Sequence, residues 1–264
     1  MCFDDDAAPP ELPFPPIAGG AVDGGPLVLT AADGATFRAY AARAAAEHRA
    51  PGIREGTGMV VLPDVRGLIP YYEELALRFA EAGISAVAID YFGRTFGTGP
   101  RPEGFDHYAH IPQTRPETLA LDVAAAIAHL RSPGIGATGA TFSVGFCYGG
   151  RASFLQAAEG HGLSGVIGFY GWPIGPSRAG FPAPADLATR FACPVLALYG
   201  GADEGIPPEA VAAFDRALDA AGLERETVVY PGASHSFFDR NQEQFADASA
   251  DAWRRVLAFV AAHA

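Results

Sequence analysis

Three residues whose side chains could act together in nucleophilic catalysis each follow a predicted β-strand: Cys147, Asp203 and His235. Cys147 stands in "VGFCYGG", where glycines flank it at the point at which a strand would turn sharply into a helix. Such a turn has no room for large neighbours, so the pattern G-x-C-x-G-G predicts an exposed nucleophile. A thiolate would then attack, the imidazole would take the proton or stabilise an ion pair, and the carboxylate would orient the imidazole.

Each of the three residues, taken alone, also has a purely structural interpretation. A lone cysteine is often a small buried hydrophobe, as expected for Cys193 before Pro194. Asp203 could belong to a simple turn, and His235 could be a hydrogen-bonded loop residue. Their joint occurrence at the carboxyl ends of strands, in the chain order nucleophile, acid, base, favours a catalytic triad. An oxyanion would then need two backbone N–H donors, predicted at Tyr148 and at Val65.

The elements that must position these residues alternate between buried strands and amphipathic helices. Six apolar runs predict strands of a parallel sheet, at residues 58–65, 84–91, 140–146, 164–171, 194–200 and 226–232. The segments "PLVLT" and "TFRAYAA" predict an antiparallel hairpin at one edge. The alternation predicts a doubly wound, three-layer α/β fold with a mostly parallel sheet, forming one domain over 26–264. The acidic, proline-rich start predicts an extended arm at 1–25, with a disordered tail as the alternative.

Two irregular segments are too long to be simple connections, and both are predicted to form the rim of a pocket. They cover residues 92–115 and 171–190. Trp172 is a candidate for the apolar lining of that pocket, with packing in the core as the alternative. His107 and His110 lie three residues apart, but no cluster of histidines and carboxylates accompanies them. The sequence therefore predicts no metal site.

Composition excludes several classes of function. The formal net charge of −12 argues against nucleic acid or an anionic membrane as the main partner. The absence of lysine excludes Schiff-base chemistry and a phosphate-binding P-loop. The acidic, proline-rich start does not resemble a secretory signal, and the three cysteines show no disulfide spacing. We expect a cytoplasmic protein, a monomer or small homo-oligomer, that acts on a small molecule.

Several motifs together resemble the dienelactone hydrolase family. They are "VGFCYGG", "YGGADEGIPPE", "YPGASHSFF", "VLPDVRGL" and "AIDYFGR", which are spread over most of the chain after residue 55. The cysteine in the elbow is the specific feature, because the fold alone is compatible with many activities. The resemblance implies an α/β-hydrolase fold and the hydrolysis of lactones or activated esters through an acyl-cysteine, without a cofactor.

The resemblance also implies roles for three further residues. Asp64 matches the position of an acidic residue that contacts the resting thiol, although the family usually has a glutamate there. Arg94 and Arg240 match arginines that receive a substrate carboxylate, although Arg240 lies one residue further from the histidine than in the family. The alternative for Arg94 is a structural ion pair that anchors the loop after its strand.

The sequence therefore predicts a cofactor-independent hydrolase of a small lactone or carboxylic ester. A first alternative is a thioesterase or acyltransferase on the same scaffold, which would prefer thioesters or an acceptor other than water. A second is a non-catalytic protein of this fold that binds a small ligand, an interpretation that the intact set of three catalytic residues disfavours.

Overall fold

An eight-stranded sheet forms the centre of the protein in the computed structural model, which describes residues 9, 23–44, 49–177, 179–239 and 242–264. The strands are β1 (Asp23–Thr30), β2 (Thr36–Arg43), β3 (Gly58–Leu62), β4 (Ser85–Ile89), β5 (Thr141–Phe146), β6 (Gly165–Phe169), β7 (Val195–Gly200) and β8 (Arg225–Tyr230). Their order in the sheet is β1-β2-β4-β3-β5-β6-β7-β8. The pairs β1–β2 and β2–β4 are antiparallel, and all the others are parallel.

Helices cover both faces of this sheet. They are α1 (Pro70–Glu81), α2 (His107–His110), α3 (Pro116–Leu130), α4 (Tyr148–Gln156), α5 (Pro208–Ala220) and α6 (Ala246–His263), with 3₁₀ turns at Ile111–Gln113 and Pro184–Arg190. Two glycines of β6 show how the faces are divided. A side chain on Gly165 would meet Phe259 of α6, whereas one on Gly168 would meet Phe154 of α4. Residues three apart in a strand point to opposite faces, so α4 and α6 lie on opposite sides of the sheet.

The predicted architecture is confirmed. All six predicted parallel strands form, and the two early segments form the predicted antiparallel hairpin. Strands β3 to β7 are buried along their whole length, which explains their continuous apolar runs. Strand β1 begins at Asp23, and apart from Pro9 the earlier part of the predicted arm lies outside the described residues.

The topology brings the chemistry to one edge of the sheet. Because β3, β5 and β7 run parallel to one another, their carboxyl ends meet at the same edge, and the residues that follow them are neighbours.

Over the residues that the structure describes, no helix is both long enough and apolar enough to cross a membrane.

Candidate active site

Cys147 occupies a sharp turn between β5 and α4, as the glycine pattern predicts. Its backbone has φ of 54° and ψ of −111°, in the positive-φ region that residues with a side chain rarely adopt. The turn needs glycine around it because the backbones approach very closely. A Cβ on Gly145 would lie 1.9 Å from the carbonyl oxygen of Gly149, and a Cβ on Gly149 would lie 2.1 Å from that of Leu62.

The structure brings the three predicted catalytic residues together. Nδ1 of His235 lies 2.6 Å from Oδ2 of Asp203, and the His235 side chain also forms a hydrogen bond with Cys147. Asp203 is buried, and its Oδ1 accepts a hydrogen bond of 2.8 Å from the N–H of Gly205. The carboxylate is therefore held from both oxygens, which fixes the plane in which it meets the imidazole.

The electrostatic environment favours a charged imidazole. Burial lowers the pKa of His235, but the hydrogen bonds to Asp203 and Cys147 outweigh this effect and raise the pKa to about 10. By contrast, burial raises the pKa of the Cys193 thiol to about 11, which is the behaviour expected of a structural cysteine. Of these two cysteines, only Cys147 has a partner able to accept its proton.

The two predicted oxyanion donors lie beside the nucleophile. Tyr148 is the first residue of α4, and the N–H groups of a first helical turn have no acceptor within their own helix. Val65 follows β3, the strand that pairs with β5, and lines the same cavity as Cys147. Their assignment as oxyanion donors stays a prediction.

A cavity of about 560 Å³ opens in front of Cys147. This volume is in the range of small-molecule sites. Both long irregular segments contribute to it, as predicted: Tyr108 and Ile111 come from the first, and Trp172 comes from the second. The described lining is mostly apolar and contains no carboxylate; it consists of Val65, Tyr108, Ile111, Cys147, Tyr148, Arg151, Tyr170, Trp172, Pro176, Ser177, Ala179, Gly205, Ile206 and His235.

Asp64 is buried near this cavity and is paired with an arginine. Its Oδ1 accepts from the backbone N–H of Arg66 at 2.8 Å and from the Nε–H at 3.3 Å, while its Oδ2 lies 3.1 Å from Nη2 of the same residue. Asp64 therefore carries a compensated negative charge. Its predicted contact with the resting thiol stays a prediction.

Arg94 lies away from the cavity that contains Cys147. Its Nη1 lies 2.5 Å from Asp33 and its Nη2 lies 2.7 Å from Asp122, and it lines a separate, water-sized cavity. The two ion pairs raise the pKa of Arg94 despite its partial burial. This arrangement supports the anchoring alternative for Arg94 over the carboxylate clamp. Arg240, the other predicted clamp, lies outside the described residues.

Sequence reasoning missed a buried hydrogen bond behind the imidazole. The hydroxyl of Tyr170 donates to the carboxylate of Asp239, which is four residues after His235 and almost completely buried. The ring of Tyr170 lies 4.8 Å from that of His235, measured between centroids. Tyr170 also has a positive φ of 39°. In the sequence, only the position of Asp239 four residues after His235 pointed to this carboxylate. Its partner Tyr170 follows β6, 69 positions earlier, and the sequence does not reveal that contact.

In the parts of the chain that the structure describes, no group of three or more histidine, cysteine or acidic side chains is arranged to hold a metal ion. His107 and His110, the pair considered from the sequence, belong to the short helix α2. Nδ1 of His110 lies 2.9 Å from the hydroxyl of Thr95, and its ring stacks on Phe105. Both contacts are those of a packed loop residue.

The sequence and the fold of the chain are similar to those of known proteins. The family model described as "Dienelactone hydrolase family" matches residues 37–264. A "Putative carboxymethylenebutenolidase" of Salmonella typhimurium is 32% identical over 213 residues, 77% of this chain and 76% of that protein. The "Carboxymethylenebutenolidase" of Rhodococcus opacus is 30% identical over 219 residues, 80% of this chain and 83% of that protein. The crystal structure of a "Putative Dienelactone Hydrolase" from Klebsiella pneumoniae is 28% identical and superposes with a TM-score of 0.76, covering 92% of this chain and 99% of that one.

Proposed function

The chain belongs to the dienelactone hydrolase family and is an ester or lactone hydrolase, and we propose that it works through an acyl-cysteine on Cys147, without a cofactor. The observation that carries this proposal is the continuous chain of hydrogen bonds from Asp203 through His235 to Cys147, at the floor of an apolar cavity. We propose a small lactone or carboxylic ester as the substrate, because the relatives' names point to a lactone and the cavity has a matching size.

The reactive form of the site is proposed to hold a thiolate and an imidazolium. The raised pKa of His235 favours the imidazolium, and the hydrogen bond from His235 to Cys147 places its proton beside the sulfur. A thiolate is the reactive form of cysteine, and an adjacent cation stabilises it. Asp203 stabilises the imidazolium in turn and holds its ring in one orientation.

Acylation then forms one bond and breaks another. The sulfur of Cys147 attacks the carbonyl carbon, and the negative charge that develops on the carbonyl oxygen faces the N–H groups of Val65 and Tyr148. When this intermediate collapses, the C–O bond to the leaving group breaks and His235 gives its proton to the leaving oxygen. In a lactone, the leaving hydroxyl stays attached to the acyl chain, so ring opening leaves one acyl-cysteine.

Deacylation needs a base, and we propose His235 for this role, because it has already given its proton to the leaving group. Cys147 contributes to the raised pKa of His235 both by its hydrogen bond and by its charge. An acylated sulfur carries no charge, so both contributions weaken and the pKa of His235 falls, which favours the neutral imidazole. It can then take a proton from water, which attacks the acyl carbon and releases the carboxylate and the thiolate.

The proposal is tested by ester turnover in matched cysteine variants. Cys147→Ala is expected to reduce the hydrolysis of p-nitrophenyl acetate by at least about a thousandfold, the usual cost of losing a nucleophile. Cys193→Ala provides the control, because it removes a buried thiol outside the described cavity lining and should leave kcat/KM unchanged. Brief exposure to substrate followed by acid quenching should show an acetyl group on Cys147 by mass spectrometry.

Two results would contradict parts of the proposal separately. Turnover of Cys147→Ala within tenfold of the wild type would exclude the acyl-cysteine. Loss of activity after chelation and desalting, restored by added metal, would exclude a mechanism without a cofactor. Much faster turnover of a matched thioester than of the oxygen ester would instead favour the thioesterase alternative.

A further inference from the structure

The side chain of Arg151 forms hydrogen bonds with the backbone of the segment that follows β6 and lines the cavity. Arg151 lies in α4, one helical turn after Cys147, and its guanidinium donates hydrogen bonds to backbone carbonyls of the segment after β6. The acceptors and distances are Pro182 (3.2 Å), Trp172 (3.3 Å), Ile174 (3.4 Å), Gly175 (2.6 Å) and Phe181 (2.8 Å). Residues far apart in this segment therefore converge on one side chain.

This guanidinium is buried without an ion-pair partner among the described residues. Arg151 is only 4% exposed, and burial lowers the pKa of its guanidinium to about 10, an effect that the charge of Asp186 partly opposes. Burying a cation without a carboxylate is costly unless its donors are satisfied. Here the backbone carbonyls accept hydrogen bonds from the guanidinium N–H groups. The planar guanidinium points these donors in fixed directions, so it can bind several acceptors at once.

The same residue connects this wall to the nucleophile. The backbone N–H of Arg151 donates to the carbonyl of Cys147 at 3.2 Å, so the two residues are linked through the first turn of α4. At the start of the segment, a Cβ on Gly171 would lie 2.5 Å from the backbone nitrogen of Arg151. The segment therefore begins in close contact with α4 and is held further along by the guanidinium.

We propose that Arg151 is a positioning residue that determines substrate size, because it fixes the wall formed by residues 172–177 and 179–182 at a set distance from the sulfur of Cys147. Four residues that line the cavity belong to this wall: Trp172, Pro176, Ser177 and Ala179. A second contact within the wall, from the N–H of Phe181 to the hydroxyl of Ser177 at 2.8 Å, closes its far end. The proposal rests on the hydrolase function proposed above.

The experiment uses Arg151→Lys, which keeps the charge but cannot reach the same set of carbonyls, and Ser177→Ala, which breaks the second contact. Initial rates are measured on p-nitrophenyl esters from acetate to octanoate. An octanoyl chain extends further along the wall than an acetyl group, so in Arg151→Lys the ratio of kcat/KM between acetate and octanoate should shift by about tenfold, mainly through KM. Ser177→Ala should shift the ratio in the same direction by a smaller factor.

Arg78→Lys is the matched control. Arg78 lies in α1, where it pairs with Glu81 at 3.0 Å, so its replacement removes an arginine contact away from the described cavity lining. This variant should leave the ester ratio at the wild-type value. Melting temperatures of all variants are measured in parallel, because a purely structural role for Arg151 would lower stability while scaling the rates on both esters equally.

Hydrogen exchange gives a readout that does not depend on turnover. In Arg151→Lys, amide exchange should rise in residues 172–177 and 179–182 and stay unchanged in β5 and β7. An unchanged ester ratio, or unchanged exchange in the wall, would overturn the proposal. If the wild type hydrolysed none of the esters, the proposed function would fail, and the exchange experiment would decide the positioning role of Arg151 alone.

Discussion

Replacing Asp203 by asparagine tests the electrostatic basis of the site without changing its shape. Oδ1 of Asp203 accepts a hydrogen bond from the N–H of Gly205, and Oδ2 faces Nδ1 of His235 at 2.6 Å. In Asp203→Asn, the amide oxygen should keep the Gly205 bond, so the amide NH₂ would face Nδ1. Two donors cannot share this contact, so the neutral imidazole would carry its proton on Nε2 and accept from the amide through Nδ1. Nε2 would then have no lone pair with which to accept the proton of Cys147.

The size of the effect follows from the charge that Asp203 stabilises. A rise of the His235 pKa from 6.5 to about 10 corresponds to roughly 5 kcal/mol in favour of the imidazolium. The hydrogen bond to Asp203 is the largest interaction that raises this pKa, so its loss should remove about 2 to 3 kcal/mol of this stabilisation. At about 1.4 kcal/mol per factor of ten, this loss and the wrong tautomer predict a fall in kcat/KM of at least about a hundredfold.

The assay combines ester hydrolysis with the pH dependence of iodoacetamide alkylation. In the variant, rapid alkylation of Cys147 should require a higher pH, since the imidazolium that stabilises the thiolate is lost. Asp215→Asn is the control, because Asp215 pairs with Arg225 and is absent from the described cavity lining. A kcat/KM within tenfold of the wild type, with an unchanged alkylation profile, would refute the reasoning.

Three further predictions concern the Asp64–Arg66 pair, Arg94 and Gly145. Asp64→Asn should speed alkylation of Cys147, and Arg66→Met should slow it by leaving the Asp64 charge uncompensated; no change in either variant would exclude the predicted influence of Asp64. Arg94→Ala should lower the melting temperature by several degrees while reducing kcat/KM equally for an anionic lactone and a neutral ester; a selective loss for the anionic substrate would restore the carboxylate clamp. Gly145→Ala should destabilise the fold by about 3 kcal/mol or more in urea unfolding, because its Cβ would overlap a backbone oxygen; wild-type stability would show that the turn can relax.

Much of the fold could be predicted because its signals are local. The apolar runs of β3 to β7 are continuous because both of their faces are covered, and this pattern is visible in the sequence. The candidate triad could be predicted for a related reason. Strand ends can be located from such runs, and parallel strands bring their carboxyl ends to one edge, so Cys147, Asp203 and His235 were expected at the same edge of the sheet. Their distances depend on the strand order β5-β6-β7-β8, which only the tertiary structure gives.

The sequence by itself also determined part of the nucleophile turn. Gly145 allows the close approach of the Gly149 carbonyl, and this requirement is set within four positions of the chain. Gly149 allows the close approach of the Leu62 carbonyl, which only the pairing of β3 with β5 brings there. The absence of lysine is also visible in the sequence alone, and it excludes every mechanism that needs a primary amine on a side chain.

The contacts of Arg94 and Arg151 became visible only in the tertiary structure. The motif around Arg94 suggested a substrate contact, yet its partners Asp33 and Asp122 lie 61 and 28 positions away in the chain. Arg151 carried no signal, and its acceptors are backbone carbonyls 21 to 31 positions away. A long, flexible, charged side chain takes the partners that folding brings within its reach, and a backbone carbonyl is the same group in every residue, so no pattern of residue types could identify these contacts.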